Sequence, residues 1–155
     1  MILKAFDQAI HVFLTNQTQT MKSIEDKNLA AERSAFAGLN LYEPLSIYKE
    51  YQNSGSGVLF GTGTTPPTYT DNKLSGSPIR GLTVSAEVTK ENYSNEIVAL
   101  YTITNNTGND VTIGEVGLCY TWALLDRTVL ENPVTIPAGS IGQITYTITF
   151  NYAEE

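Results

Sequence analysis

Five carboxylates, Asp71, Glu87, Glu91, Glu115 and Asp126, fall in the part of the chain that patterns as strand and turn. Two carboxyl groups a few ångströms apart are what glycoside hydrolysis requires, one as acid and one as base or nucleophile. Linear spacing does not establish such a distance. Glu115 stands between Gly114 and Val116 in an apolar run, the setting of a buried acid, and Arg127 in the following strand is its natural partner. Most ion pairs of this kind hold strands together, so a structural Glu115–Arg127 pair is the expectation.

The other reactive groups lack companions. Gly61-Thr62-Gly63-Thr64-Thr65 has the glycines of a phosphate loop but not the Lys that reaches the phosphates. Pro66-Pro67 follows instead of a helix N-terminus and removes two backbone donors, which points to a glycine-rich turn at a strand end. His11 is the sole histidine, and without a G-x-S-x-G elbow it has no nucleophile to serve. Cys119 is a lone cysteine inside an apolar strand pattern, hence a small buried side chain rather than a reactive thiol. Asp71 and Asn72 offer oxygen atoms but no EF-hand loop surrounds them, and Asp71 reads as a turn cap. Tyr42, Tyr48, Tyr51, Tyr69 and Trp122 could stack on sugars, although such rings serve cores and interfaces equally well. No catalytic, cofactor-binding or metal-binding residue is assigned, and the chain is expected not to be an enzyme.

The elements that would position these groups are mostly strands. Leu82 to Val88 and Ile97 to Ile103 alternate apolar and polar residues and look like neighbours. Asn105-Asn106-Thr107-Gly108-Asn109-Asp110 is a strong turn signal, for which a hairpin between the flanking strands is the natural connection. Pro133, Pro137 and Ala138-Gly139 mark an edge strand and a loop. In the last strand Ile144, Tyr146, Ile148, Phe150 and Tyr152 share one face, with Thr145, Thr147, Thr149 and Asn151 on the other.

The start of the chain has a different period. Ile2, Phe6, Ala9, Ile10 and Phe13 lie at helical spacing, predicting an amphipathic helix over residues 1–15. It either docks on the β-domain or, through Ile2, Phe6, Ile10 and Phe13, contacts a neighbour in an assembly. Met21 to Ile24 suggests a short strand, Ala30 to Phe36 a turn of helix, and Pro44 excludes a central strand at its position. The loop Asn53-Ser54-Gly55-Ser56-Gly57 divides an N-terminal appendage, residues 1–52, from a β-core, residues 53–155. The fold class read from these patterns is mainly β: an antiparallel β-sandwich, immunoglobulin-like or jelly-roll, preceded by the helix. The Cys-Trp-Cys framework of true immunoglobulin domains is missing.

Bulk properties agree. A chain of 155 residues suits one domain, and 16% charged residues, against about 25% in a typical soluble protein, leaves a surface built largely of Thr, Ser, Asn and Gln. A net charge of −7 with scattered Lys and Arg argues against nucleic acid, whose binding depends on clustered cations. No apolar stretch reaches the roughly 18 residues of a membrane span, and no secretory pattern opens the chain, so synthesis in the cytoplasm is expected.

The block from Val58 to Ile79, with Gly61-Thr62-Gly63 followed by Pro66, then Glu115-Val116-Gly117-Leu118, Leu124-Leu125-Asp126-Arg127 and the closing Thr145-Tyr146-Thr147-Ile148-Thr149-Phe150, resembles segments of small bacteriophage structural proteins over about two thirds of the chain. That resemblance implies a virion component of the tail, neck, fibre adaptor or capsid surface. Its partners would be other copies of itself and other virion proteins, in a homo-oligomer without cofactor. The alternative is a carbohydrate-binding module that touches host-surface glycans.

Overall fold

The computed structural model describes residues 3–6, 8–9, 19–23, 27–31, 42–45, 47–48, 56–90, 96–120 and 123–149. Its elements are β1 (Gln19–Lys22), β2 (Asn28–Ala31), a short helix α1 (Tyr42–Leu45), β3 (Gly57–Gly61), β4 (Leu82–Lys90), β5 (Glu96–Asn105), β6 (Val111–Tyr120), β7 (Ala123–Ile136) and β8 (Ile141–Thr149). The protein is mainly β. β1 and β2 pair with each other, and the remaining strands form two three-stranded antiparallel sheets, ordered β3-β6-β7 and β4-β5-β8.

The period-2 pattern dictates how the two sheets meet. Along β5 every second residue is buried, and Ile97, Ala99, Tyr101 and Ile103 face the other sheet. β8 repeats this with Ile144, Tyr146 and Ile148 inside and Thr145, Thr147 and Thr149 exposed. From the opposite sheet Val58, Phe60, Ile113, Val116, Leu118 and Ile136 complete one core. Phe60 anchors it, stacked on Tyr48 and edge-on to Tyr101, each at a centroid distance of 5.6 Å. The Tyr101 hydroxyl donates to Leu45 O at 2.7 Å, which docks α1 on the same core.

β4 and β5 are neighbours, as their patterns predict, with Val84 opposite Ile103. The hairpin expected across residues 105–110 does not form. β5 and β6 lie in different sheets, and the turn is a corner between them. Asn105 explains the corner: its buried side chain donates to Asn109 O at 2.7 Å and Ile136 O at 2.8 Å and accepts from Thr107, fixing the loop to the end of β7.

The N-terminal helix of four turns is not supported. Among the described residues of the 1–15 segment, helical backbone is found at residues 4–6 and 8–9, a short helix. The Leu3 N–H donates to Leu125 O at 2.8 Å and the Lys4 N–H to Tyr69 O at 2.9 Å. A short amphipathic segment gains more from tertiary burial than from its own helical bonds, whose nucleation is unfavourable. Leu3 accordingly sits fully buried with Leu59, Leu74, Cys119 and Leu124, while Ala5, Ala9 and part of Phe6 pack on Met21, Ala123 and Leu125. Ile2, Ile10, His11 and Phe13 lie outside the described residues. Ala30 belongs to β2 rather than to a helical turn, because it pairs with Thr20 of β1. No helix among the described residues is long and apolar enough to cross a membrane.

Candidate functional site

The densest concentration of charged groups lies on the outer face of the β3-β6-β7 sheet, under the two loops that follow β3. Glu115 of β6 and Arg127 of β7 are diagonal neighbours, since Glu115 pairs with Val129 and Gly117 with Arg127. Both are buried, at 0% and 1% exposure. Arg127 Nε donates to Glu115 Oε2 at 2.7 Å, Nη1 to Asp71 Oδ2 at 2.6 Å and Nη2 to Thr65 O at 2.6 Å. The planar guanidinium thus joins two carboxylates and a loop carbonyl, a task its fork of donors suits.

The rest of the Glu115 carboxylate is held by backbone. Oε1 accepts from Gly63 N at 3.1 Å and Gly76 N at 2.7 Å, and Oε2 accepts from Ser75 N at 3.1 Å and Ser75 Oγ at 3.2 Å. Glycine at 63 and 76 is a spatial necessity: a Cβ on Gly63 would lie 2.0 Å from Ser75 Oγ and 2.3 Å from Glu115 Oε1, and one on Gly76 would lie 2.2 Å from Gly63 N. One amide of the glycine-rich turn, Gly63 N–H, thus joins the Ser75 and Gly76 amides of the following loop in binding an anion, the chain's own Glu115 carboxylate.

The electrostatics follow from these partners. Burial alone would raise the Glu115 carboxyl, but hydrogen bonds from Gly76 N–H, Arg127 and Ser75 N–H, with the Arg127 charge, hold it below its ordinary value. Burial likewise acts upward on Asp71. The Thr68 hydroxyl and amide, at 2.6 and 2.9 Å, together with Arg127 bring it below its ordinary value. Both acids are therefore anions, and four loop N–H groups help to balance the cluster of one cation and two carboxylates, with Asp71 partly open to solvent.

No protein family, curated protein or solved structure matches this chain.

The geometry supplies a clamp rather than a reaction centre. Glu115 is out of reach of any substrate, with five donors on its two oxygens. Asp71 caps the 68–71 turn as expected and is also the third member of the cluster, a role hidden in the sequence by the separation of 56 positions from Arg127. Asp71 and Asn72 are poorly placed to offer their oxygen atoms to a calcium ion, because the Arg127 cation occupies Asp71 Oδ2, and Asn72 Nδ2 donates to Ser23 O at 2.8 Å. Of the other candidate carboxylates, Glu87 is exposed on β4 in the opposite sheet and Glu91 lies outside the described residues. No group of three His, Cys, Asp or Glu among the described residues could hold a metal ion.

A second buried acid, Asp126, works on the inner face of β7, the strand that carries Arg127. The Tyr146 hydroxyl of β8 donates to Asp126 Oδ2, which also accepts from Thr128 Oγ1 at 3.0 Å, tying one sheet to the other. Burial first, and then the neighbouring Asp126, push the Tyr146 hydroxyl well above its ordinary value. Cys119 is buried with its thiol pushed up to about 12, the inert state expected of it. Among the aromatic candidates Tyr48 is a core ring whose hydroxyl donates to Ile79 O at 3.0 Å, and Tyr69 is 49% exposed. Tyr51 and Trp122 lie outside the described residues.

Proposed function

We propose that this chain is a non-enzymatic structural subunit of a bacteriophage particle, placed at the tail, neck, fibre or capsid surface after synthesis in the host cytoplasm. One observation carries the non-enzymatic part: the Glu115–Arg127–Asp71 cluster is spent on fastening the 62–78 loops to the sheet. A clamped, Thr-rich sandwich with few charges is a rigid unit suited to burial against copies of itself and against other virion proteins. The particle assignment rests on the sequence resemblance described above. Ile2, Phe6, Ile10 and Phe13 remain the N-terminal contact in this reading, with Phe6 sharing its ring between its own domain and the neighbour.

The strand pairing favours the immunoglobulin-like architecture over the jelly-roll. If β3, β6 and β7 are taken as strands C, F and G, and β4, β5 and β8 as D, E and B, the pairs C–F, F–G, D–E and E–B of the immunoglobulin sandwich are all present, with B moved to the end of the chain. Two of the three sequential links between β3 and β6 cross between sheets, which a chain of hairpins would not do.

Mass spectrometry and electron microscopy of purified particles test the assignment. The chain should appear at stoichiometric copy number at a fixed position, and its absence from intact particles would overturn the reading. The exposed ring of Tyr69 supports the glycan-binding alternative. A glycan array showing sugar binding that is lost in Tyr69→Ala would move that alternative ahead.

A further inference from the structure

The two sheets have four outer edges, and three of them are blunted. β3 is covered on its outer side: Val58 N donates to Ile47 O, Ile79 N to Phe60 O and Thr62 N to Ser77 O. β7 carries Glu131, Asn132 and Pro133, all exposed, where its register with β6 breaks between Ile113 and Glu115. β4 places the exposed Glu87 at its middle and ends on Lys90. Charges, prolines and irregular pairing are the usual defences of a sheet edge against further strands.

β8 has none of them. It runs nine residues, Ile141–Thr149, in unbroken register with β5, and contains no charged residue and no proline. Its outward side chains Gln143, Thr145, Thr147 and Thr149 are exposed, and Ile141 is 67% exposed at its start. Among the described residues no strand and no backbone hydrogen bond reaches its outer edge. We propose that this edge pairs with the β8 edge of a second copy, antiparallel about a two-fold axis near Thr145, to make one continuous six-stranded sheet.

The pattern along the strand selects that occupant, and its lack of charge admits it. Two copies each carrying −7 repel wherever their surfaces are acidic, so a contact of like with like requires an uncharged seam. β8 provides one about 30 Å long at roughly 3.4 Å per residue. The pattern is also self-complementary: with Thr145 facing its symmetry mate, Thr147 meets Gln143 and Thr149 meets Ile141 across the seam, pairs of β-branched and hydrogen-bonding side chains that stabilise antiparallel strands. The proposal rests on the reading of the chain as an assembly subunit and names a contact distinct from the N-terminal one. Self-association of the purified chain and its presence in particles are separate measurements, so either can fail alone.

Light scattering on the full chain should give twice the 16.9 kDa protomer mass. Thr145→Lys/Thr147→Lys, which brings like charges together across the axis, should return it to the protomer mass with unchanged circular dichroism. Ser85→Lys/Thr89→Lys adds the same charge to the exposed face of β4 and should leave the dimer intact. Hydrogen exchange on the unmodified chain needs no variant: outer-edge amides of β8 should lose protection on dilution while those of β4 do not. A protomer mass at concentrations up to about 1 mM, where even weak association registers, would overturn the proposal. So would a dimer that survives the β8 change, one lost equally through the β4 change, as in head-to-tail stacking, or β8 exchange that ignores concentration.

Discussion

Glu115 shows how much one buried side chain can organise, and what its loss should do. Glu115→Ala would leave the Arg127 guanidinium buried without its main counter-charge, and removing one partner of a buried pair costs about 3–5 kcal/mol. A urea titration reads this directly. Asp71→Ala should cost less, because Asp71 is 24% exposed and water can replace it on Arg127. Acid should act through the same groups. Both carboxyls are depressed in the folded chain, so their contribution is complete above the ordinary carboxylate range and is lost as pH falls through the folded values. The urea midpoint should hold steady above about pH 5 and decline below it. Glu115→Gln should flatten that decline, and an unchanged acid slope in this variant would remove Glu115 from the account.

At the scale of the elements, alternation was legible and connection was not. β4, β5 and β8 were readable because one face of each strand is wet, which writes the period of 2 into Thr83–Ser85–Glu87 and Thr145–Thr147–Thr149. Ile148→Ala should therefore cost about 2–5 kcal/mol through lost burial and a cavity. Thr147→Ala should stay within about 0.5 kcal/mol, and equal denaturation midpoints would refute the face assignment. β3 and β6 are buried on both faces and lose the alternation, although Glu115 still betrayed its partner Arg127 by standing alone among apolar residues. The 105–110 turn misled because Asn-Gly-rich turns signal a reversal without saying which sheet receives the next strand. What decides it includes a long-range contact, the Asn105 bond to Ile136 O, added to its local bonds to the 107–109 turn. The same holds for the short N-terminal helix, whose backbone partners Leu125 and Tyr69 are far away in the chain.

Taken whole, the molecule is asymmetric: the β4-β5-β8 sheet turns an exposed Thr-rich face outward, whereas the β3-β6-β7 sheet is overlaid by the N-terminal segment, the β1-β2 pair and the clamped loops. Rigidity should differ accordingly, because the overlay consists of short pieces joined to the sheet by a few bonds and small clusters. Cys119 reports on this layer. Its thiol faces the cluster of Leu3, Leu59, Leu74 and Leu124, so a thiol reagent reaches it only when the overlay lifts or the domain unfolds. Leu3→Ala should weaken the overlay by about 2–5 kcal/mol and raise the labelling rate of Cys119 in native buffer. Ile148→Ala, placed in the core between the sheets, destabilises the domain through the other interface. If the overlay opens as a separate unit, labelling of Cys119 in Leu3→Ala should exceed that in Ile148→Ala at equal global stability, as fixed by urea titration. Equal labelling in the two variants would mean that overlay and sandwich unfold together as one cooperative body.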